Sequence, residues 1–267
     1  MKIRPGIELA NRTDVGCERT QNEDNYCYAE PESDEEMARR GRLIVVADGM
    51  GGYDGGQIAS GLAVEAVRTT FLNGAAGNPT DALVDAYAAA HEAIRAYVRE
   101  HSELAGMGTT CTSAVLHDGR LVYGQVGDSR LYLLRDGSIT RLTHDQSYVQ
   151  QMIDDGILSP EDAKHHPNKN VLTSALGSDS PVKADFAPAP IALQRGDILL
   201  LCTDGLHGLV NDSEMLEIAT ENPPTDACRN LVDLAKARGG FDNITVQILR
   251  IDETSASAGR DSAGAGR

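Results

Sequence analysis

Four apolar runs in this chain border an aspartate that sits beside a small or turn-forming residue. Leu43-Ile-Val-Val-Ala47 leads into Asp48-Gly49, Leu121–Val126 into Gly127-Asp128, and Ile198–Cys202 into Thr203-Asp204-Gly205, while Asp242-Asn243 opens Ile244–Leu249. Runs of four to eight aliphatic and β-branched residues bounded by turn signals read as buried strands. Each aspartate is therefore expected at a rigid strand end, next to a residue that permits a tight turn. Carboxylates that converge at such ends repel one another unless cations lie between them. Oxygen-only ligands of this kind suit hard divalent ions such as Mg²⁺ or Mn²⁺.

Two further segments bear on that chemistry. Arg19, followed at four and five residues by Glu23 and Asp24, could present a phosphate-gripping fork and metal-facing oxygens from one short stretch. Taken alone, an Arg/Glu cluster is more often a solvated surface. The segment Asp48 to Gln57 holds five glycines in ten residues and runs into a helical pattern, which invites a nucleotide-phosphate reading. That reading fails, because neither GxxxxGK[ST] nor GxGxxG with an acid about 20 positions on occurs. The glycines more simply let Asp48 and the Gly49 carbonyl reach a metal. For any single Asp-Gly a turn is the simpler explanation. For Asp48, Asp204 and Asp242 together it weakens, since each borders a run that should be buried, and burying carboxylates without cations or donors is costly.

The elements that must position these residues follow from periodicity. Gly56–Phe71 and Thr80–Leu104 repeat apolar residues at three and four and predict two neighbouring helices joined by a loop over 73–79. Residues 109–143 read as a strand meander with Asp118-Gly119 and Asp136-Gly137 at hairpin turns. A shorter helix is expected over Gln146–Asp155, stopped by Gly156, and another begins after the capping serine Ser159. Residues 165–190 look like an irregular lid. Helices near Ser213–Ala219 and Thr225–Ala237 precede a final strand, Ile244–Ile251. Residues 30–40 are expected to form an exposed charged loop, and the Ser/Ala/Gly-rich stretch 252–267 a disordered tail. A meander with helices inserted in blocks favours an α+β fold, as one domain over 1–251.

Composition narrows the function classes. The chain has 267 residues, 41 % hydrophobic and 24 % charged, with a net charge of −16. That field would repel nucleic acid and anionic lipid. A phosphate-bearing ligand could bind only where metals or arginines reverse the local sign. No apolar run is long enough to span a membrane, and the N-terminal residues lack the apolar stretch of a secretory signal. Five cysteines without a CxxC spacing argue against a disulfide framework and for a reducing, cytoplasmic setting.

The order and spacing of Arg19 to Asp24, Asp48-Gly49, Gly108-Thr109-Thr110, Gly127-Asp128-Ser129, Leu142 to Ser147, Leu176-Gly177, Thr203-Asp204-Gly205 and Asp242-Asn243 resemble the metal-dependent type 2C serine/threonine protein phosphatases, the PPM family, and its bacterial members most closely. The likeness runs from Asp14 to Thr245. It implies a four-layer α-β-β-α sandwich, two antiparallel sheets flanked by helices. It also implies two Mn²⁺ or Mg²⁺ ions bridged by Asp48. The Gly49 carbonyl and Glu23 would serve one ion, and Asp204 and Asp242 the other. Asp24 and Asn243 would orient the site from behind, Arg19 would bind phosphate, and Asp128 with Asp204 would form a weaker third metal site. Two ions about 3.5–4 Å apart lower the pKa of a shared water toward ~7, and the hydroxide would attack phosphorus in line. Phosphoprotein substrates, a serine/threonine kinase or its targets among them, are implied in turn, with a monomer as the default and 146–190 as a flap that influences substrate choice.

This chain departs from the eukaryotic pattern at Met50, where those relatives carry a histidine, and from the common pattern at Gln57 and Gln146. The proton donor to the leaving group stays open, and His144, His165, His166 and His207 are given no role. Cysteine-phosphatase chemistry needs Cys-x₅-Arg, but Glu23, Ser33, His117, Gly208 and Leu234 stand six residues beyond the cysteines. Two rivals remain: a catalytically silent relative that binds metal or phosphoprotein, and an acidic domain whose strand-end aspartates are all turns. The presence of Arg19, Asp48, Asp204 and Asp242 favours the enzyme.

Overall fold

The computed structural model describes residues 3–51 and 54–252. The tail beyond Asp252, and Gly52-Tyr53 of the glycine-rich loop, lie outside the described residues. The chain begins with β1 (Ile7–Asp14), β2 (Asp24–Ala29), α1 (Asp34–Arg40), β3 (Arg42–Met50), α2 (Gly55–Asn73) and α3 (Pro79–Glu100). The meander follows as β4 (Gly108–Thr109), β5 (Cys111–His117), β6 (Arg120–Val126), β7 (Arg130–Arg135) and β8 (Ser138–Arg141). Next come α4 (Tyr148–Asp154), α5 (Pro160–Ala163), β9 (Asp185–Phe186), β10 (Ile191–Ala192) and β11 (Ile198–Cys202). The described chain closes with α6 (Asp204–His207), α7 (Asp212–Glu221), α8 (Pro224–Ala237) and β12 (Ile244–Ile251).

Two antiparallel sheets result. One has the order β1-β12-β11-β7-β8, the other β10-β6-β5-β3-β2 with β4 and β9 attached at its margins. The period-two geometry of a strand assigns each side chain to a layer. Ile44 and Val46 of β3 pack between the sheets with Ala114, Leu131, Leu199, Leu201 and Leu249. Leu43, Val45 and Ala47 face the other way, onto α2 and α3 through Ala59, Ala63, Val67, Leu83 and Ala90. On the opposite outer face, Leu200, Cys202, Val246 and Ile248 pack against α7 and α8 through Met215, Ala219, Leu231 and Val232. Strands buried on both faces explain why β3 and β11 read as unbroken apolar runs. The layers are α-β-β-α, as the resemblance implies.

Both expected hairpins close on two-residue turns, with positive φ at Asp118 and Gly119 and again at Asp136 and Gly137. That is the twist-compatible type I′ geometry. Residues 30–40 are not a loop. Asp34–Arg40 is helical, capped by Ser33, whose Oγ accepts from the Glu36 N–H at 3.2 Å, with acids in its first turn and arginines in its last. Its lack of an apolar stripe hid it. Arg40 is buried and donates to the carbonyls of Phe71 (2.8 Å) and Gly74 (2.7 Å), where α2 ends. α3 stops at Glu100, and Ser102–Leu104 forms a separate 3₁₀ turn. α4 starts two residues later than expected because Ser147 Oγ caps it by accepting from the Gln150 N–H.

Candidate active site

The space between the sheets changes character along its length. Toward one end it is filled by Leu116, Leu121, Leu133, Leu249 and Ile251. Toward the other, the same inward-facing rows deliver polar residues: Asp48 follows Ile44 and Val46 on β3, Thr203 follows Leu199 and Leu201, and Thr245 precedes Gln247 and Leu249 on β12. Asp24 stands beside Asp48 in the β2–β3 register. Cross-strand neighbours share a face, so these two carboxyls are driven into one space. Two cavities, of about 570 and about 960 Å³, open away from this cluster, one around Ile7, Leu116 and Leu193 and one around Tyr28, Glu30 and Leu72.

Asp24 is 7 % exposed. Its Oδ2 accepts from Thr203 Oγ1 at 2.9 Å, while its Oδ1 has no hydrogen-bond partner. Burial pushes the carboxyl up to about 7, against the hydrogen bonds of Thr245 and Thr203, and the negative charges of Asp204 and Asp242 add to the rise. Asp48 is raised well above the usual carboxylate range by burial and by Asp24, Asp204, Asp128 and Asp242. Its backbone is clamped: the N–H donates to Thr110 Oγ1 (2.8 Å), and the carbonyl accepts from the Thr110 N–H and Thr109 Oγ1, both at 2.9 Å. Asp204 opens α6, and its Oδ1 is buried without a partner. Burial and then Asp242 raise it, opposed by contact with Asp48 and by the Arg19 and Lys169 charges. Asp128 is also raised, by burial first and then by Asp204 and Asp145.

Arg19 and Asp242 meet at the mouth, with Arg19 Nη2 donating to Asp242 Oδ2 at 2.8 Å. Asn243 fixes the backbone on either side of Arg19: its Oδ1 accepts from the Glu23 N–H (2.8 Å), and its Nδ2 donates to the carbonyls of Val15 (3.0 Å) and Gln21 (2.9 Å). Glu23 is raised mainly by burial, with Arg19 opposing. Its carboxyl lies over the start of α2, so that a Cβ on Gly56 would come within 2.6 Å of it. Gly49 is required by close approach: a Cβ there would sit 2.0 Å from the Gly56 carbonyl oxygen. Alanine at either position would force the glycine-rich segment off β3.

Asp48, Asp24, Asp204, Asp128, Asp242, Glu23 and Arg19 thus gather in one region, and Asn243 stands behind it. No group of three His, Cys, Asp or Glu side chains among the described residues closes into a cage round one point. The donor set is all oxygen, and two of its buried oxygens lack any partner; both properties fit hard divalent cations. Sequence reasoning gave no role to the hydroxyls that hold this set, Thr110, Thr203 and Thr245. Their signal was available, because alternation along β11 and β12 puts Thr203 and Thr245 on the inward face. Of the unassigned histidines, His207 donates from Nε2 to the Asp128 carbonyl (3.0 Å) and is pushed down to about 3 by burial. His144 is exposed and contacts Asp154.

The chain is similar to known proteins. Residues 34–230 match the family model described as Protein phosphatase 2C. The protein phosphatase PhpP of Streptococcus pneumoniae is 33 % identical over 262 residues, covering 94 % of this chain and 100 % of that protein. The crystal structure of the serine/threonine phosphatase PstP/Ppp of Mycobacterium tuberculosis superposes with a TM-score of 0.81 at 34 % identity, covering 93 % of this chain and 100 % of that one. The catalytic domain of PstP in complex with two manganese ions superposes with a TM-score of 0.79 at 33 % identity, covering 93 % and 99 %.

Proposed function

The chain belongs to the protein phosphatase 2C family, and from that premise we propose that it hydrolyses phosphoserine and phosphothreonine in proteins at the Asp48 centre, in a metal-dependent reaction. The observation that carries this is the set of converging carboxyls, Asp24 and Asp128 buried and Asp48 and Asp204 half-buried, with unpartnered oxygens on Asp24 and Asp204. Two Mn²⁺ or Mg²⁺ ions would supply water activation and neutralise developing charge on phosphorus oxygens. Asp48, the Gly49 carbonyl, Glu23, Asp204 and Asp242 would hold them. Asp128 with Asp204 would hold a weaker third ion.

This chain's own groups do the rest. Arg19, half-exposed beside Asp242, presents a planar fork to the phosphate and stabilises charge on its equatorial oxygens. Asn243 holds the backbone on which Arg19 and Glu23 stand. Thr203 Oγ1 keeps Asp24 facing the cluster from behind, and the Thr245 N–H donates to that hydroxyl in turn at 3.0 Å. Residues 146–190 would act as a flap that shapes substrate choice. The catalytic domain would span 1–251 as a cytoplasmic monomer, acting on a serine/threonine kinase or its targets. No described helix is long and apolar enough to cross a membrane. The test is phosphate release from a phosphothreonine peptide and from p-nitrophenyl phosphate, with and without Mn²⁺. Turnover is expected to vanish on chelation and return with metal; turnover that survives complete chelation would overturn the reading.

A further inference from the structure

The loop that brings Asp242 to the site also carries an aromatic ring that this chemistry does not use. Phe241 is 53 % exposed and is one of three phenylalanines in a chain without tryptophan. A single exposed ring needs no explanation by itself; its mounting and its position do. The Gly240 carbonyl accepts from the Cys17 N–H (2.8 Å), and the Gly240 N–H donates to the Ala235 carbonyl (3.1 Å). Gly239 has φ +121°, and a Cβ there would stand 2.3 Å from Phe241 Cζ. One side of the ring is thus backed by bare glycine backbone, and the ring still reaches solvent. The next residue, Asp242, holds Arg19 at 2.8 Å. An exposed apolar ring therefore stands one residue from Asp242, the partner of the phosphate-gripping Arg19.

We infer that Phe241 is a specificity-determining residue: it receives an apolar side chain that flanks the phosphorylated serine or threonine of the substrate. The inference rests on the phosphatase reading above, with Arg19 on the phosphate. An extended peptide advances about 3.3 Å per residue, so the side chains one or two positions from the phosphorylated residue are the candidates to meet a ring mounted next to Asp242. The net charge of −16 disfavours acidic flanks at the same time. The preferred substrates are phosphopeptides with an aliphatic or aromatic neighbour to the phosphoresidue.

The test compares phosphothreonine peptides identical except for Leu or Ser beside the phosphothreonine, placed on each side in turn, with Mn²⁺ present. Each is assayed with the unaltered protein, Phe241→Ser and Phe241→Tyr. The unaltered protein is expected to favour the Leu peptide by about 10-fold in kcat/KM on one side, the scale of a modest apolar contact. Phe241→Ser should bring that ratio close to one, and Phe241→Tyr should keep it. A ratio near one in the unaltered protein, or a preference that survives in Phe241→Ser, overturns the inference. So does an equal loss on both peptides with the ratio intact, which would reduce the ring to a cover for Gly239. Absence of Mn²⁺-dependent release from every peptide would instead overturn the phosphatase reading.

Discussion

Buried carboxylates occur in two settings in this molecule, and the contrast separates structure from function. Asp145 and Asp197 are buried, yet each faces an arginine. Arg130 donates Nε to Asp145 Oδ1 (3.0 Å) and Nη2 to Oδ2 (2.6 Å), and Arg141 adds a further contact at 3.3 Å. Arg135 holds both oxygens of Asp197 at 2.8 and 2.6 Å. Burial is the largest single effect and would raise Asp145, but the Arg130 hydrogen bonds and charge, with the Arg141 charge, together outweigh it and the group ends below its ordinary range. Asp48, Asp204, Asp24 and Asp128 have no such arginine pair and are all raised. The fold neutralises one set from within and leaves the other to ions from outside.

The sharpest way to break this contrast is to neutralise one member of each set. Asp204→Asn should cut turnover by at least roughly 10²–10³-fold, the scale of losing one transition-state electrostatic contact. The metal-free variant should melt no lower than the parent, because a repelling charge has gone. Near-normal rates, or a large loss of metal-free stability, would place Asp204 in the wrong set. Asp145→Asn should do the reverse. It leaves the Arg130 guanidinium buried without its counter-charge and should lower unfolding stability by about 3–5 kcal/mol, read as the urea midpoint. If both variants lost activity with stability untouched, the distinction between the sets would fail.

Acidity offers a second test of the same contrast. Asp24 stands at about 7 in the folded protein against an ordinary value of 3.8, so its proton is held more tightly when folded. That contribution is complete below about pH 4 and is lost as pH rises through 7. Asp145 is depressed, so its contribution is present above its unfolded value and is lost as pH falls through the lower folded one. Chelated protein should therefore lose melting temperature from pH 5 to pH 8, and Mn²⁺ should restore it most at the alkaline end. A melting temperature that is flat or rising over that range without metal would contradict the assignment.

Much of this was legible before the structure, for a physical reason. Strand-end aspartates advertise themselves because burial makes the flanking runs continuous, as at Leu43–Ala47 and Ile198–Cys202, and the Asp-Gly hairpins carry their own dihedral signature. What stayed hidden depends on partners distant in sequence. That Asp145 is answered by Arg130 while Asp128 is not cannot be read from a stretch holding both aspartates. The pairing of Asp24 with Thr203 spans 179 positions. The helix Asp34–Arg40 was missed because its seven residues are nearly all charged, so periodicity had nothing to register, although Ser33 and the acids after it form a legible cap.

That helix supplies the smallest effect and the cleanest control. Arg40 is a buried charge of the opposite sign, answered wholly from within: Glu36 accepts from its Nε at 2.6 Å, and the Phe71 and Gly74 carbonyls take its two terminal nitrogens. It therefore belongs with Asp145 and not with Asp48. Arg40→Met should keep the stem's packing while stranding two carbonyls at the end of α2, costing about 1.5–3 kcal/mol, as for hydrogen bonds to a charged group. Mn²⁺-dependent kcat should stay within about twofold, because the substitution releases no constraint on the carboxylate rows. A kcat falling in step with stability would mean that the α2 terminus transmits to Gly56 and Glu23 at its other end, and that charge pairs closed within the fold do reach the chemistry.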